Sequence, residues 1–325
     1  MISASITGTG SYLPKKRVSN NDIAEIVETS DEWITSRTGI RERRISTGET
    51  TADLAYEASV RALREAKIKA DELDLIICAT ISPDSFMPSV ACIVQSRLGA
   101  HRAAAFDLTA ACTGMIYGMV IANSFIVSGM YQKVLVIGAE TLSKTLDWDD
   151  RSTCVLFGDG AGAVIMTAST IKRGIMSMTL VSDGSKKDYL QLPALPLVNP
   201  FIKEDEANHR PVISMKGQEV FKFAIRSITE QIMTVLDMAD TQVDDIKYIV
   251  THQANQRIIE QAAKISKIPL EKFFMNLSVY GNTSAATIGV ALDEMVKDNR
   301  LHPGDLIILV GFGGGMTSGA VLLEW

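Results

Sequence analysis

Apolar runs of strand length, each entered from an acidic turn and left through a polar or glycine position, recur twice along the chain in one order. Asp71-Glu72-Leu73-Asp74-Leu75-Ile76-Ile77 enters one run, and Asp244-Asp245-Ile246-Lys247-Tyr248-Ile249-Val250 enters its echo. Each leads through a polar segment into a helix-period pattern, near residues 88–98 and 254–266. Asp107-Leu108-Thr109-Ala110-Ala111-Cys112 and Asn276-Leu277-Ser278-Val279-Tyr280-Gly281-Asn282 each precede a further helix. Val134-Leu135-Val136-Ile137-Gly138 matches Leu306-Ile307-Ile308-Leu309-Val310-Gly311, and Gly162-Ala163-Val164-Ile165-Met166 matches Gly319-Ala320-Val321-Leu322-Leu323. The offset is roughly 155 to 175 residues, far longer than a solenoid period.

Strands without polar alternation are buried on both faces, which is the pattern of an α/β layered protein. The helices at 113–128 and 283–296 are apolar or small on every side, so they belong between sheets. The pattern predicts two similar βα units, residues 1–172 and 173–325, packed into five αβαβα layers. A pseudo-twofold axis then brings equivalent strand ends together, and groups from both halves can meet. Two independent domains on a linker are the open alternative.

Composition narrows the function. The 325 residues, 46% hydrophobic, are ample for a large core. A net charge of −6 leaves no basic footprint for nucleic acid. The only dense basic cluster, Arg41, Arg43 and Arg44, suits at most an anionic small molecule or an acidic partner. No run reaches the roughly 18 apolar residues of a membrane span, and Met1 leads directly into a strand-like start. Cys78, Cys92, Cys112 and Cys154 form no CxxC pair and no metal-ligand cluster. The expectation is a soluble cytoplasmic chain with neither disulfides nor a metal.

Cys112 follows a strand and opens a helix, where free N–H groups and the helix dipole favour a thiolate. It equally suits a buried structural cysteine. His252 ends a buried strand whose counterpart ends at Cys78 and Ala79, so the repeat places it across the axis from Cys112. A core histidine held by a carbonyl is the plainer alternative. His101, His209 and His302 have weaker claims. Asn282 opens the second internal helix, as an N-cap or as a donor to a developing oxyanion. Gly311-Phe312-Gly313-Gly314-Gly315-Met316 lacks the spacing of a dinucleotide fingerprint, and its N–H groups suit an oxyanion hole.

With these residues in hand, the chain resembles β-ketoacyl-acyl-carrier-protein synthase III, the initiating condensing enzyme of bacterial fatty-acid synthesis in the thiolase superfamily. Asp31-Glu32-Trp33-Ile34, Arg37-Thr38-Gly39-Ile40, the Cys112 segment, Phe157-Gly158-Asp159-Gly160-Ala161-Gly162, His252-Gln253-Ala254-Asn255, Tyr280-Gly281-Asn282-Thr283-Ser284 and the C-terminal glycine run carry the likeness in order. It implies a thiolase-like fold with two mixed sheets and a homodimer. The implied reaction is decarboxylative Claisen condensation of a short acyl-CoA with malonyl-acyl-carrier-protein, without a resident cofactor.

The resemblance also implies roles. Cys112 carries the acyl group, His252 and Asn282 stabilise the enolate, and the N–H groups of Cys112 and Gly314 form the oxyanion hole. Trp33 and Arg151 would sandwich the CoA adenine, with Arg37, Thr38 and Asn255 along the channel. Met87, Leu142, Phe157 and Phe312 would wall the acyl pocket. Gln253, Arg257, Lys222 and Lys264 are the candidate contacts for the acidic carrier protein.

Met87-Pro88 stands where many relatives have Phe-Pro, at a position that usually reaches the partner's acyl pocket. Residues 185–211 read as a longer insertion, either a cap or a surface excursion. A degradative thiolase would need a second cysteine beyond Cys154, and an elongating synthase a second histidine where Asn282 stands. A type III polyketide synthase shares Cys, His and Asn. A non-catalytic acyl-CoA-binding protein is the alternative from another class.

Overall fold

The structure is a computed structural model and describes residues 3–169, 174–196, 199–201 and 211–325. One mixed sheet has the order β1 (Ser3–Tyr12), β7 (Gly160–Ser169), β6 (Lys133–Glu140), β4 (Leu75–Ala79), β5 (Ala104–Leu108). The other reads β8 (Gly174–Ser182), β14 (Thr317–Glu324), β13 (Leu306–Gly313), β11 (Ile246–Thr251), β12 (Phe273–Phe274), the same order with each strand replaced by its repeat. The registers repeat too. Cys78 pairs with Ile137 as Thr251 pairs with Val310, and Gly138 faces Gly162 as Gly311 faces Gly319. Two short antiparallel ribbons, β2 (Lys16–Ser19) with β3 (Glu42–Ile45) and β9 (Leu190–Gln191) with β10 (Ser214–Met215), lie apart from the two large sheets.

Five layers result. Helices α3 (Thr51–Ala66) and α4 (Val90–Leu98) cover the outer face of the first sheet, and α7 (Gly217–Met238) and α8 (Gln256–Ser266) that of the second. Between the sheets lie α5 (Gly114–Val127) and α10 (Thr287–Lys297), inside one apolar cluster that joins Ile77 and Val136 of one sheet to Leu309 and Val321 of the other. Short helices α1 (Asn20–Ala24), α2 (Asp31–Thr38), α6 (Arg151–Cys154) and α9 (Leu277–Tyr280) sit in the connections. Local sequence sets their ends. Thr50 and Asp53 form a capping box for α3, Ser30 caps α2, and left-handed Gly39 (φ 81°) stops it. No helix among the described residues is long and apolar enough to cross a membrane.

The inner helices begin later than their hydrophobic pattern suggests. Each is preceded by a one-turn 3₁₀ segment, Ala111–Thr113 before α5 and Ser284–Ala286 before α10. The first residue of each turn is left-handed, at φ 45° for Ala111 and 48° for Ser284. Neither is glycine, so each holds local strain of about 1 kcal/mol or more. By this symmetry the counterpart of Cys112 is Ala285. The offset between the halves falls after β6 because residues 141–159 are matched by only residues 314–316 in the second hairpin.

Arg43, expected in an exposed basic cluster, is instead completely buried. It donates to the carbonyls of Val18 (3.3 Å) and Val155 (2.7 Å) and to Asn20 Oδ1 (2.9 Å), and so braces the loop that carries Phe157.

The inner helix α10 lies directly on β7, and a Cβ at Gly289 would stand 2.7 Å from the Gly162 carbonyl carbon. Alanine in a helix interior is ordinarily favoured over glycine by about 1 kcal/mol. Here backbone lies on both sides, and overpacking costs about 1–3 kcal/mol. Gly289→Ala is therefore expected to lower the urea midpoint at unchanged m-value, a net loss of up to about 2 kcal/mol. A raised midpoint would show that the crossing has room.

Candidate active site

The ends of β5, β11 and β13 open onto a cavity of about 270 Å³. Its floor joins Cys112 from the first half to His252, Asn282, Phe312 and Gly313 from the second. Cys112 lies in the 3₁₀ turn ahead of α5, and a Cβ on Gly313 would come within 2.7 Å of its backbone nitrogen, so only glycine lets β13 approach. His252 follows β11, and its N–H donates to Val310 O at 2.8 Å. Asn282 bridges to Phe157, its N–H donating to Leu156 O at 2.9 Å and its carbonyl accepting from Gly158 at 3.0 Å. The Asn282 Oδ1 accepts the Ser284 N–H at 2.9 Å, so Asn282 caps the 3₁₀ turn rather than α10 itself. That bond fixes which end of the amide is committed. The amide N–H₂ makes no hydrogen bond to any described residue, and Asn282 lines the cavity.

Burial dominates the electrostatics. It pushes the Cys112 thiol up to about 12. The helix start is where sequence placed it, but the loss of water around the sulfur outweighs the expected lowering. Burial also holds His252 down to about 3. Its ring stands edge-on to Phe312 with centroids 5.0 Å apart, and Nδ1 is buried without a partner among the described residues. Both groups rest uncharged.

At the mouth, α2 presents Trp33. The Arg151 guanidinium lies 4.9 Å and that of Arg37 5.7 Å from the ring centroid. Arg151 also donates to Glu28 O at 3.1 Å. Asn255 caps α8 through Arg257 N (2.9 Å) and donates to Arg37 O (3.1 Å), tying the segment after His252 to the segment after Trp33.

The family profile described as "3-Oxoacyl-[acyl-carrier-protein (ACP)] synthase III" matches residues 106–184, and its C-terminal companion matches residues 236–325. The β-ketoacyl-[acyl-carrier-protein] synthase III of Clostridium acetobutylicum is 54% identical over 325 residues, 100% of this chain and 99% of that one. The chain belongs to the β-ketoacyl-acyl-carrier-protein synthase III family. The Clostridium novyi synthase III is 52% identical over the whole of both chains. The crystal structure of 3-oxoacyl-[acyl-carrier-protein] synthase III from Aquifex aeolicus superposes with a TM-score of 0.93 at 48% identity, covering 99% of this chain and 100% of that one. The thiolase-like fold expected from the sequence is thereby shown.

Within this synthase III chain, Trp33, Arg37, Thr38, Arg151, Asn255 and Phe157 line the cavity with the floor residues. The Thr38 hydroxyl is already committed, donating to Ile34 O at 2.7 Å and accepting from Ile40 N at 3.0 Å. The adenine sandwich is not open, because Arg151 stacks on Trp33 itself. Gln253, expected to meet a carrier protein, is wholly buried. It donates to the carbonyls of Thr251 (3.1 Å) and Phe274 (2.9 Å) and accepts from Asn276 N (3.2 Å), so it is a strut between strands. Leu142 is also buried, packed behind Phe157 rather than facing the cavity. Met87 is 87% exposed on a loop away from this cavity. Gly314 does not line it, but packs beside Ala111, one residue from Cys112. Arg257, Lys222 and Lys264 are exposed, the first two next to lining residues Ile258 and Phe221 and the third farther along α8.

Sequence reasoning missed Leu190, inside the insertion, and Met215, just after it, which form cavity wall. The insertion is thus anchored in the wall, while His209 and residues 197–198 and 202–210 lie outside the described residues. Glu140 and Ser284 beneath the floor were missed as well. The only signal was a carboxylate closing the otherwise apolar run of β6.

A neutral buried thiol reacts through its small thiolate fraction. Alkylation of Cys112 by iodoacetamide, followed by peptide mass to separate it from exposed Cys92, should rise about tenfold per pH unit between roughly pH 7 and 9. A plateau below pH 8 would show that the helix start outweighs burial.

Proposed function

We propose that this condensing enzyme takes an acyl group from a short acyl-CoA onto Cys112 and joins it to malonyl-acyl-carrier-protein, initiating fatty-acid synthesis. The observation that carries the reading is the convergence of Cys112 from residues 1–172 with His252 and Asn282 from residues 173–325 on one cavity floor. The sulfur attacks the thioester carbonyl, the C–S bond to CoA breaks, and CoA leaves as the thiol. The N–H groups of Cys112 and Gly314 hold the tetrahedral oxyanion, a contribution of about 3 kcal/mol per donor. Malonyl thioester then loses CO₂, and its enolate carbon attacks the acyl-enzyme, releasing Cys112 and giving the β-ketoacyl thioester. The free Asn282 amide and an Nε2–H on neutral His252 donate to the enolate oxygen. A histidine held far below its usual pKa suits this, because it enters as a neutral donor that keeps its proton.

CoA enters past Trp33, with its adenine between that ring and Arg151 once the guanidinium swings aside. Arg37 and Asn255 guide the pantetheine. No resident cofactor is required. The carrier protein docks where Arg257 and Lys222 flank the mouth. The dimer belongs to the same reading, supported by Phe86 at 73% and Met87 at 87% exposure on a loop near the half-exposed edge strand β5. Four free cysteines suit a reducing cytoplasm.

Intact mass after mixing with acetyl-CoA should show one acetyl adduct, lost in Cys112→Ala. His252→Ala and Asn282→Ala should keep the adduct but slow malonyl decarboxylation more than about a hundredfold. Variants that decarboxylate normally yet fail to acylate would exchange the proposed roles.

The chain's net charge of −6 opposes an acidic carrier, so attraction has to be local. Arg257→Glu should lower kcat/KM for malonyl-acyl-carrier-protein at low salt and flatten its salt dependence, with less effect on acetyl-CoA. With screening over about 8 Å at physiological salt, unchanged low-salt kinetics would remove Arg257 from the docking face.

A further inference from the structure

Beneath the floor, Glu140 closes β6 and is wholly buried, with no ion pair among the described residues. One carboxylate oxygen accepts from the Thr80 hydroxyl, Ile81 N–H and Ser82 N–H, each at 3.1 Å, and from the Ser82 hydroxyl. The other oxygen accepts from the Ser284 hydroxyl at 3.2 Å. Ser284 is the left-handed residue whose N–H holds Asn282 Oδ1 at 2.9 Å, and its turn packs against the turn that holds Cys112, which brings the hydroxyl beside the thiol. One carboxylate therefore joins the turn after β4, the turn that carries Asn282, and the nucleophile.

The fold does not require it. The counterpart of Glu140 in the second half is Gly313, at the end of β13, where the same packing is met without a side chain. A buried carboxylate costs several kcal/mol unless it is fully hydrogen-bonded, so its presence on one side of a symmetric frame calls for a reason. The reason lies in hydroxyl chemistry. Ser284 has one proton, and while Glu140 takes it, the serine oxygen can only accept from the Cys112 side. The carboxylate thus fixes both the direction of that hydroxyl and the strained turn that aims the Asn282 amide.

We propose that Glu140 is a positioning residue which, through Ser284, orients the Asn282 amide and the Cys112 thiol for the two half-reactions. This rests on the function proposed above. Burial raises the carboxyl to about 7. The titratable groups beside it are the Cys78 and Cys112 thiols, both themselves raised.

The test compares Glu140→Gln, which keeps shape but replaces one acceptor by a donor, with Ser284→Ala and the double variant. Acetylation of Cys112 by acetyl-CoA, decarboxylation of malonyl-acyl-carrier-protein and the pH profile of Cys112 alkylation are read separately. Each single variant should lower decarboxylation kcat about tenfold with KM for acetyl-CoA within about twofold of wild type. The alkylation profile should shift in both. The double variant should lose no more than the worse single, because the two groups act in series. Ser284→Ala removes only a hydroxyl, so it decides the matter if Glu140→Gln fails to fold. Wild-type decarboxylation in Ser284→Ala, or multiplicative losses in the double variant, would overturn the proposal and leave the function standing. A wild-type protein that neither acetylates nor decarboxylates would overturn both.

Discussion

Where the two repeats meet, strand ends and helix starts touch through backbone atoms with no side chain between them. A Cβ on Gly138 would collide with the Ala285 carbonyl, one on Gly311 would press on Thr113, and one on Gly313 would strike the Cys112 nitrogen. Gly162 and Gly289 make the same approach one layer away. The reaction proposed here depends on this closeness, because Cys112 belongs to one half and His252 and Asn282 to the other. A displacement of about 1 Å in such a constellation can cost about a hundredfold in rate.

The same approach dries the centre. Solvation lost at the crossing raises the Cys112 thiol and holds His252 neutral, so the resting site carries little charge on its floor. In such surroundings a dipole acts with less screening than in water. Under the proposed reaction, the amide of Asn282 and the backbone N–H groups then need not compete with solvent when an oxyanion forms. Charge is kept at the rim, on Arg37, Arg151 and Arg257.

The repeat was legible because strands buried on both faces must be written as unbroken apolar runs, and such runs can be aligned by eye. The meeting of Cys112, His252 and Asn282 at one cavity was legible because each stands at an element boundary whose partner in the other half is known. The 3₁₀ turns were not. Ala111 and Ser284 adopt left-handed backbone under tertiary pressure, and neither residue type advertises it. Gln253 was misread because a polar residue after a strand looks solvent-facing, whereas its amide satisfies three backbone groups across two strands. Leu142 was placed one layer too far forward, since sequence cannot tell a cavity wall from the residue behind it. Glu140 escaped notice because its donors come from segments about 60 and 144 positions away.

Duplication supplied two mirrored turns, and only one of them carries sulfur. Ala285, 1% exposed, stands where a second nucleophile would be. Under the proposed reaction the chain then has one covalent berth and one cavity to serve it. An acyl group cannot be handed from one sulfur to another within the chain, and two cannot be held at once. Synthesis is therefore distributive: one bond forms per loading, and the product departs on the carrier that delivered the enolate.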